Sequence, residues 1–227
     1  MFKPSLMAAL MLPVAANAQL TQEQVNRFAA NTELMYSVQS NFHNEDKSFL
    51  GEITLSNRST IDLPKGKQDW QIYLHNVRKM KEGISAGLRI EHVNGDLHRL
   101  TPTADFKGLA SGEQLVIPFE AAVWVVAYSD FMPRAFMVAK GTEPAIFANT
   151  DSEDFADFVA PFTTEQQLRR YNQPEDKTVL IDANVRFVRN QSNEQVSAED
   201  AIKRIIPKPQ HIDINRGTTT LDNSWQI

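Results

Sequence analysis

The sequence predicts an all-β fold, an antiparallel β-sandwich with short peripheral helices. Three observations predict it. From about residue 34, apolar and polar residues alternate with a period of two in eight short segments, turn residues separate those segments, and no helical period intervenes between them. Strands that follow one another without crossover helices pair antiparallel, and two such sheets bury their apolar faces against each other. With 227 residues, 42% of them apolar and 22% charged, the chain can fill one sizeable core.

The first eighteen residues stand apart from this pattern. Lys3 supplies a positive start and "LMAALMLPVAA" an apolar run of signal-peptide length. Ala16-Asn17-Ala18 is a small-x-small site that predicts cleavage between Ala18 and Gln19. The expectation is therefore an exported bacterial protein, periplasmic or extracellular. The run is too short to span a bilayer, so no membrane association is expected after cleavage. Zero cysteines exclude a disulfide, which leaves stability to the core. The 23 Lys and Arg are interspersed with 28 Asp and Glu, for a net charge of -5, and form no basic stripe that would point to nucleic acid.

In order along the chain, residues 19–33 hold "LTQEQVNRFAANTEL". Thr21 stands three residues before Gln24 in capping-box spacing, and Val25 and Phe28 share a stripe, which predicts a helix. Residues 34–190 carry the sandwich. Its segments are "MYSVQSNF", "FLGEITLSN", "DWQIYLHN", "GLRIEHV", "DLHRLTPT", "EQLVIPF", "AVWVVAYSD" and "RAFMVAK". Asn94-Gly95 predicts a two-residue hairpin turn pairing His92 with Leu97, which sends His92 and His98 to opposite faces. "ANTDSEDFADFVAPF" predicts a helix capped by Thr150 and Glu153, and "TTEQQLRRY" a shorter one. "TVLIDANVRFV" has strand character and is expected to close the sandwich. Residues 191–203 read as a polar linker. Beyond it, His211 to Asn215 alternate as a strand, and Ile212, Ile214 and Trp225 are expected to be exposed.

A catalytic constellation is not legible. There is no G-x-S-x-G elbow and no phosphate-binding glycine loop. The five histidines are scattered, and the acidic group Asp151, Glu153 and Asp154 lacks the spacing of a calcium loop. No catalytic residue, metal or cofactor is expected. The aromatics are more informative. Alternation places Trp70, Ile72 and Leu74 on one face of their strand and Gln71, Tyr73 and His75 on the other. Trp70 and Trp124 read as core, and Trp124, Val126 and Tyr128 as sharing a face. An outward Tyr73 flanked by Gln71 and His75 suits a sugar, whose C–H face stacks on an aromatic while polar groups serve its hydroxyls.

"DWQIYLHN", "IEHVNGDLHRLTPTADFKGLASGEQLVIPF", "WVVAYSDFMPRAFMV" and "IFANTDSEDFADFVAPF", in that order, closely resemble the N-terminal domain of the bacterial chitobiases, the β-N-acetylhexosaminidases of glycoside hydrolase family 20. The resemblance runs from about residue 20 to the end. It implies a sandwich like those of immunoglobulin domains and carbohydrate-binding modules, and a non-catalytic role in binding chitin oligosaccharides, β-1,4-linked N-acetylglucosamine. It also implies that residues 204–227, with "IIPKPQHIDI", begin a second, α/β domain that precedes a catalytic barrel, so that the chain as given is truncated. The family's barrel uses an Asp-Glu pair in substrate-assisted catalysis. No Asp-Glu dipeptide in that order occurs here, so the chain alone is expected to be inactive. Two rival readings remain: a buttress that packs intramolecularly against the catalytic domains, and a chaperone-like or adhesin sandwich. The last requires an open edge that accepts a partner strand.

Overall fold

The computed structural model describes residues 19–42, 47–170, 183–192, 197–213 and 217. Residues 1–18, read from the sequence as a signal segment, lie outside these, as do Ile214 and Trp225. The chain divides into two units, Met1–Ile181 and Asp182–Ile227.

In the first unit, helix α1 (Gln22–Asn31) opens on the capping box read from the sequence. The Thr21 side chain accepts from the Gln24 amide, and the Gln24 side chain accepts from the Thr21 amide. The helix buries Val25, Phe28 and Ala29 and ends where the β-period begins. Among the described residues nine antiparallel strands follow: β1 (Thr32–Ser40), β2 (Ser48–Asn57), β3 (Trp70–His75), β4 (Gly83–Ser85), β5 (Leu88–Asn94), β6 (Leu97–Pro102), β7 (Gln114–Ala122), β8 (Phe136–Ala139) and β9 (Ala145–Ile146). They form two sheets, ordered β1-β2-β7 and β4-β5-β6-β3-β8-β9.

The inner faces follow from alternation. Leu34, Tyr36 and Val38 of β1 and Phe49, Ile53 and Leu55 of β2 join Trp70, Ile72 and Leu74 of β3 and Leu100 of β6 in one core. Trp70 packs edge-on against Phe106, and Tyr36 stacks on Phe131 at 4.9 Å. Gly51 is required at its place in β2, because a Cβ there would meet the Phe119 ring at 2.4 Å.

Sheet edges are the places where a partner strand could add. Along β1 the outward groups are taken. Asn149 bonds both the amide and the carbonyl of Leu34, Phe158 and Ala160 bond those of Tyr36, and Gln167 donates to the carbonyl of Val38. On β7 the register points Pro118 outward, where it has no N–H to offer, and residues 79–81 pair with Glu120 and Ala122. β4 and β9 are three and two residues long. The open edge that a strand-accepting sandwich requires is absent from β1.

Three sequence expectations are corrected. "AVWVVAYSD" is not a strand: β7 ends at Ala122, opposite Ser48 at the end of β2, and the chain turns at Val123 with φ 70. With β2 exhausted there is no ladder to continue. "ANTDSEDFADFVAPF" forms two single 3-10 turns, Ala148–Thr150 and Phe155–Asp157, instead of a helix capped by Thr150. There the Thr150 hydroxyl donates to the Phe147 carbonyl, and Arg134 bridges Asp151 and Glu153 at 3.0 and 3.3 Å. The third concerns the hairpin. Asn94 pairs with Leu97, leaving Gly95 (φ 58) and Asp96 as the loop, and a bulge at Val93 brings His92 opposite His98. One inserted residue shifts the alternation by one, so the two rings share a face. The short helix predicted in "TTEQQLRRY" is present as α2 (Glu165–Leu168), with Thr164 and Gln167 forming its capping box.

In the second unit, α3 (Ala183–Asn190) occupies the end of "TVLIDANVRFV", which is therefore helical where strand was expected; residues 171–182 lie outside the described ones. Its β-branched residues favoured the strand reading, but Val185 and Val188 stand three apart, a helical spacing. α4 (Ala198–Lys203) is capped by Ser197 within the expected linker. Residues 211–213 show no strand, Ile212 is half-buried, and Ile206 is 93% exposed.

Candidate functional site

The outer face of the six-stranded sheet is built by β3 and its neighbours. Along β3 the burial alternates as expected: Trp70, Ile72 and Leu74 are buried, and Gln71, Tyr73 and His75 are half-buried on the outside. Ladder register then decides what stands beside Tyr73. Arg99 of β6 is opposite it on one side and Phe136 of β8 on the other; Glu91 of β5 is opposite Arg99, and Ile146 of β9 opposite Phe136. Glu91, Arg99, Tyr73, Phe136 and Ile146 thus form a row across five strands. At the usual strand spacing it is about 19 Å long.

The row has a charged end and an apolar end. Glu91 Oε2 accepts from Arg99 Nε at 3.1 Å and lies 3.5 Å from the Thr101 hydroxyl. The Tyr73 hydroxyl, then the Glu91 carboxylate, hold the Arg99 guanidinium above its ordinary pKa, against the effect of desolvation. Tyr73 donates from its hydroxyl to Gln71 Oε1 at 2.8 Å. The Tyr73 and Phe136 rings are stacked, 5.0 Å between centroids and 10° between planes. Rings lying side by side on the sheet cannot come so close, so the two overlap and present edges and outer faces. At the end of β3, His75 Nδ1 lies 3.5 Å from Asp96 Oδ2. The structure therefore brings Gln71 and Tyr73 into one hydrogen-bonded group, and places His75 with Asp96 at the strand end.

The sequence did not single out Phe136, Arg99 or Glu91. Each is ordinary within its own segment, and only the pairing of β3 with β6 and β8 assembles them.

Trp124 occupies a different setting. It is half-buried on the irregular segment after β7, with the guanidinium carbons of Arg78 and Arg170 5.9 and 5.7 Å from the ring centroid. It is not a core residue as Trp70 is. Arg78 also lies 3.5 Å from Asp130, whose carboxyl is raised by burial against the pull of that guanidinium. Tyr128 turns to Phe162, 5.0 Å away.

His98 is buried, accepts from the Met80 amide at Nε2 (3.0 Å) and reaches the Asp96 carbonyl through Nδ1 (2.9 Å). Among the described residues no group of three or more His, Asp or Glu is arranged to hold a metal ion.

With this fold and face in view, the comparisons with known proteins are specific. Residues 19–184 match the family model described as "Putative carbohydrate binding domain". The chain belongs to this family. It is similar to N,N'-diacetylchitobiase of Vibrio harveyi, 31% identical over 231 residues that cover 96% of this chain and 25% of the relative. It is also similar to a beta-hexosaminidase of Vibrio vulnificus, 27% identical over 184 residues, 78% of this chain and 21% of the relative. The chain thus spans about a quarter of the length of these curated relatives. Among solved structures, the GH20 exo beta-N-acetylglucosaminidase of Vibrio harveyi aligns with a TM-score of 0.43 at 16% identity, over 63% of this chain and 20% of that one. A chitin-binding domain from Streptomyces coelicolor aligns with a TM-score of 0.32 at 12% identity, over 51% of this chain and 96% of that one. The family is the one the sequence blocks resemble.

Proposed function

We propose that this sandwich is the sugar-binding, non-catalytic domain of a longer, exported chitobiase-type enzyme, and that it takes β-1,4-linked N-acetylglucosamine oligomers on the outer face around Tyr73. The observation that carries the reading is the row across five strands. It offers an aromatic pair at its centre, hydrogen-bonding groups on one side (Gln71, Arg99, Glu91) and apolar side chains on the other (Phe136, Ile146). An N-acetylated pyranose has matching chemistry, with an apolar ring face, hydroxyls, and an acetamido group that is itself half apolar. The family membership and the chitobiase relative favour this sugar class over others.

Calorimetric titration with chitobiose and longer oligomers tests it. Heat of binding is expected, with affinity rising with length. Tyr73→Ala should weaken binding roughly fivefold, the worth of one aromatic contact of about 1 kcal/mol. No heat up to millimolar ligand would sink the reading. Export is tested separately, by amino-terminal sequencing of protein recovered from the periplasm or medium; a mature chain that does not begin at Gln19 contradicts the cleavage site.

A second reading is favoured by an exposed aliphatic residue on the same face that lies outside this row, Ile84 (59% exposed). In it the face packs against the rest of the longer protein. Comparing the full-length enzyme with a version lacking this domain separates the two. Loss of folding favours packing, and loss of activity on polymer alone favours binding.

A further inference from the structure

We propose that His98 is an acid-released latch that ties the strap at residues 79–81, which belongs to the edge of one sheet, to the body of the other. The strap covers the end of β7 along its outward edge. Lys81 donates its amide to the Glu120 carbonyl at 2.8 Å, Lys79 accepts from the Ala122 amide at 2.9 Å, and the Met80 side chain is buried. The Met80 amide points the other way, across to β6, where it donates to His98 Nε2 at 3.0 Å. An N–H donor at Nε2 fixes the tautomer. The ring proton must sit on Nδ1, where it donates to the Asp96 carbonyl at 2.9 Å. His98 is therefore neutral in the closed form, with both nitrogens used and no exposure to solvent.

A second proton has only Nε2 to go to, and there it meets the Met80 N–H head-on. The surroundings offer little to hold the cation. From β5 the His92 ring is 5.3 Å away, and from the strap itself comes Lys79, both of which disfavour added positive charge. Lys81 of the strap is paired with Glu120 of β7. Asp96 in the hairpin turn is the one favourable charge, and its carboxylate also faces His75 of β3 at 3.5 Å. Burial is the largest influence and lowers the His98 pKa below its ordinary value; the Asp96 carbonyl opposes it, and His92 adds to it.

The sign follows. The closed form binds a proton more weakly than the open form, in which His98 titrates near the ordinary value of about 6.5. Closure is complete above that value and is lost as pH falls below it, the open fraction growing about tenfold per pH unit until the lowered pKa is reached. Release would uncover the Glu120–Ala122 end of β7. The Nδ1–H bond to the Asp96 carbonyl survives protonation, so only the strap side of His98 lets go and the outer face keeps its end at Asp96. The latch stands independently of whether that face binds sugar.

Amide hydrogen exchange on the full chain between pH 7.5 and 5, corrected for intrinsic rates, tests it. Met80, Lys81 and Ala122 should lose protection about tenfold per pH unit below about 6.5 relative to Ile53 in the central strand β2. His98→Gln, which keeps an acceptor and a donor but does not titrate, should remove that dependence, while His92→Gln should keep it. Equal pH dependence in the wild type and His98→Gln overturns the proposal. If His98→Gln does not fold, an NMR titration of the wild-type imidazole decides: a His98 that protonates while the Met80 amide keeps its shift and protection overturns it equally.

Discussion

Two aromatic stretches, "DWQIYLH" and "AVWVVAYSD", carry the same alternation in sequence and take different structures. The first is β3, with β6 bonded on one side and β8 on the other, so every residue is held to one face or the other. Trp70 is driven to 2% exposure and Tyr73 to the outside. The second continues past the point where β2, the strand it pairs with in the sheet, has run out. Without a ladder to enforce a period of two, Val123 takes a positive φ, Trp124 lies under two guanidinium groups, and Asn41 takes over the backbone of Val125. Alternation proposes a strand, but a neighbour with free hydrogen bonds makes one.

The difference can be tested by substitutions, the largest effect first. Trp70→Ala should cost about 3–5 kcal/mol by chemical denaturation, since it empties a core site against Phe106. Trp124→Ala should cost only about 1–2 kcal/mol, the scale of a half-buried ring held by cation–π contacts. Equal losses would show that the two indoles are held alike. Asn41→Ala ranks next after Trp70→Ala, at about 3 kcal/mol. Its side chain accepts from the Val125 amide and donates to the carbonyls of Val125 and Gln167, and buried groups left without partners are costly. Unaltered stability there would mean that the segment 123–130 holds its shape by other means. Val123→Gly should be the mildest, raising stability by about 1 kcal/mol, because glycine accepts a positive φ that a β-branched residue resists. A loss in thermal melting would show that the valine side chain contributes more than its backbone strain costs.

Much of the sandwich was legible because burial and alternation agree wherever a strand has partners. The Thr21 cap, the strands from residue 32 to 57 and the outward Tyr73 could all be read from local pattern. What escaped depends on events that local pattern does not encode. The single extra residue at Val93 moved the half-buried His92 to face the buried His98 where opposite faces were expected. In residues 148–159, the Thr150 hydroxyl donates to the Phe147 carbonyl and the Asn149 side chain to those of Leu34 and Asp157, and one-turn 3-10 elements replace the helix that the capping spacing suggested. The candidate face was legible only along β3. Its second aromatic, Phe136, and its ion pair, Glu91 with Arg99, come from strands distant in sequence, and register alone makes them neighbours.

The occupied edge of β1 bears on how copies of this protein behave in a crowd. A domain that gathers on a shared surface meets its own kind at local concentrations far above those in bulk, where an exposed row of amides and carbonyls would invite one molecule to extend the sheet of the next. Here Asn149, Gln167 and the backbone of Phe158 and Ala160 already occupy that row. Neighbours can press together on that side without growing into a fibre.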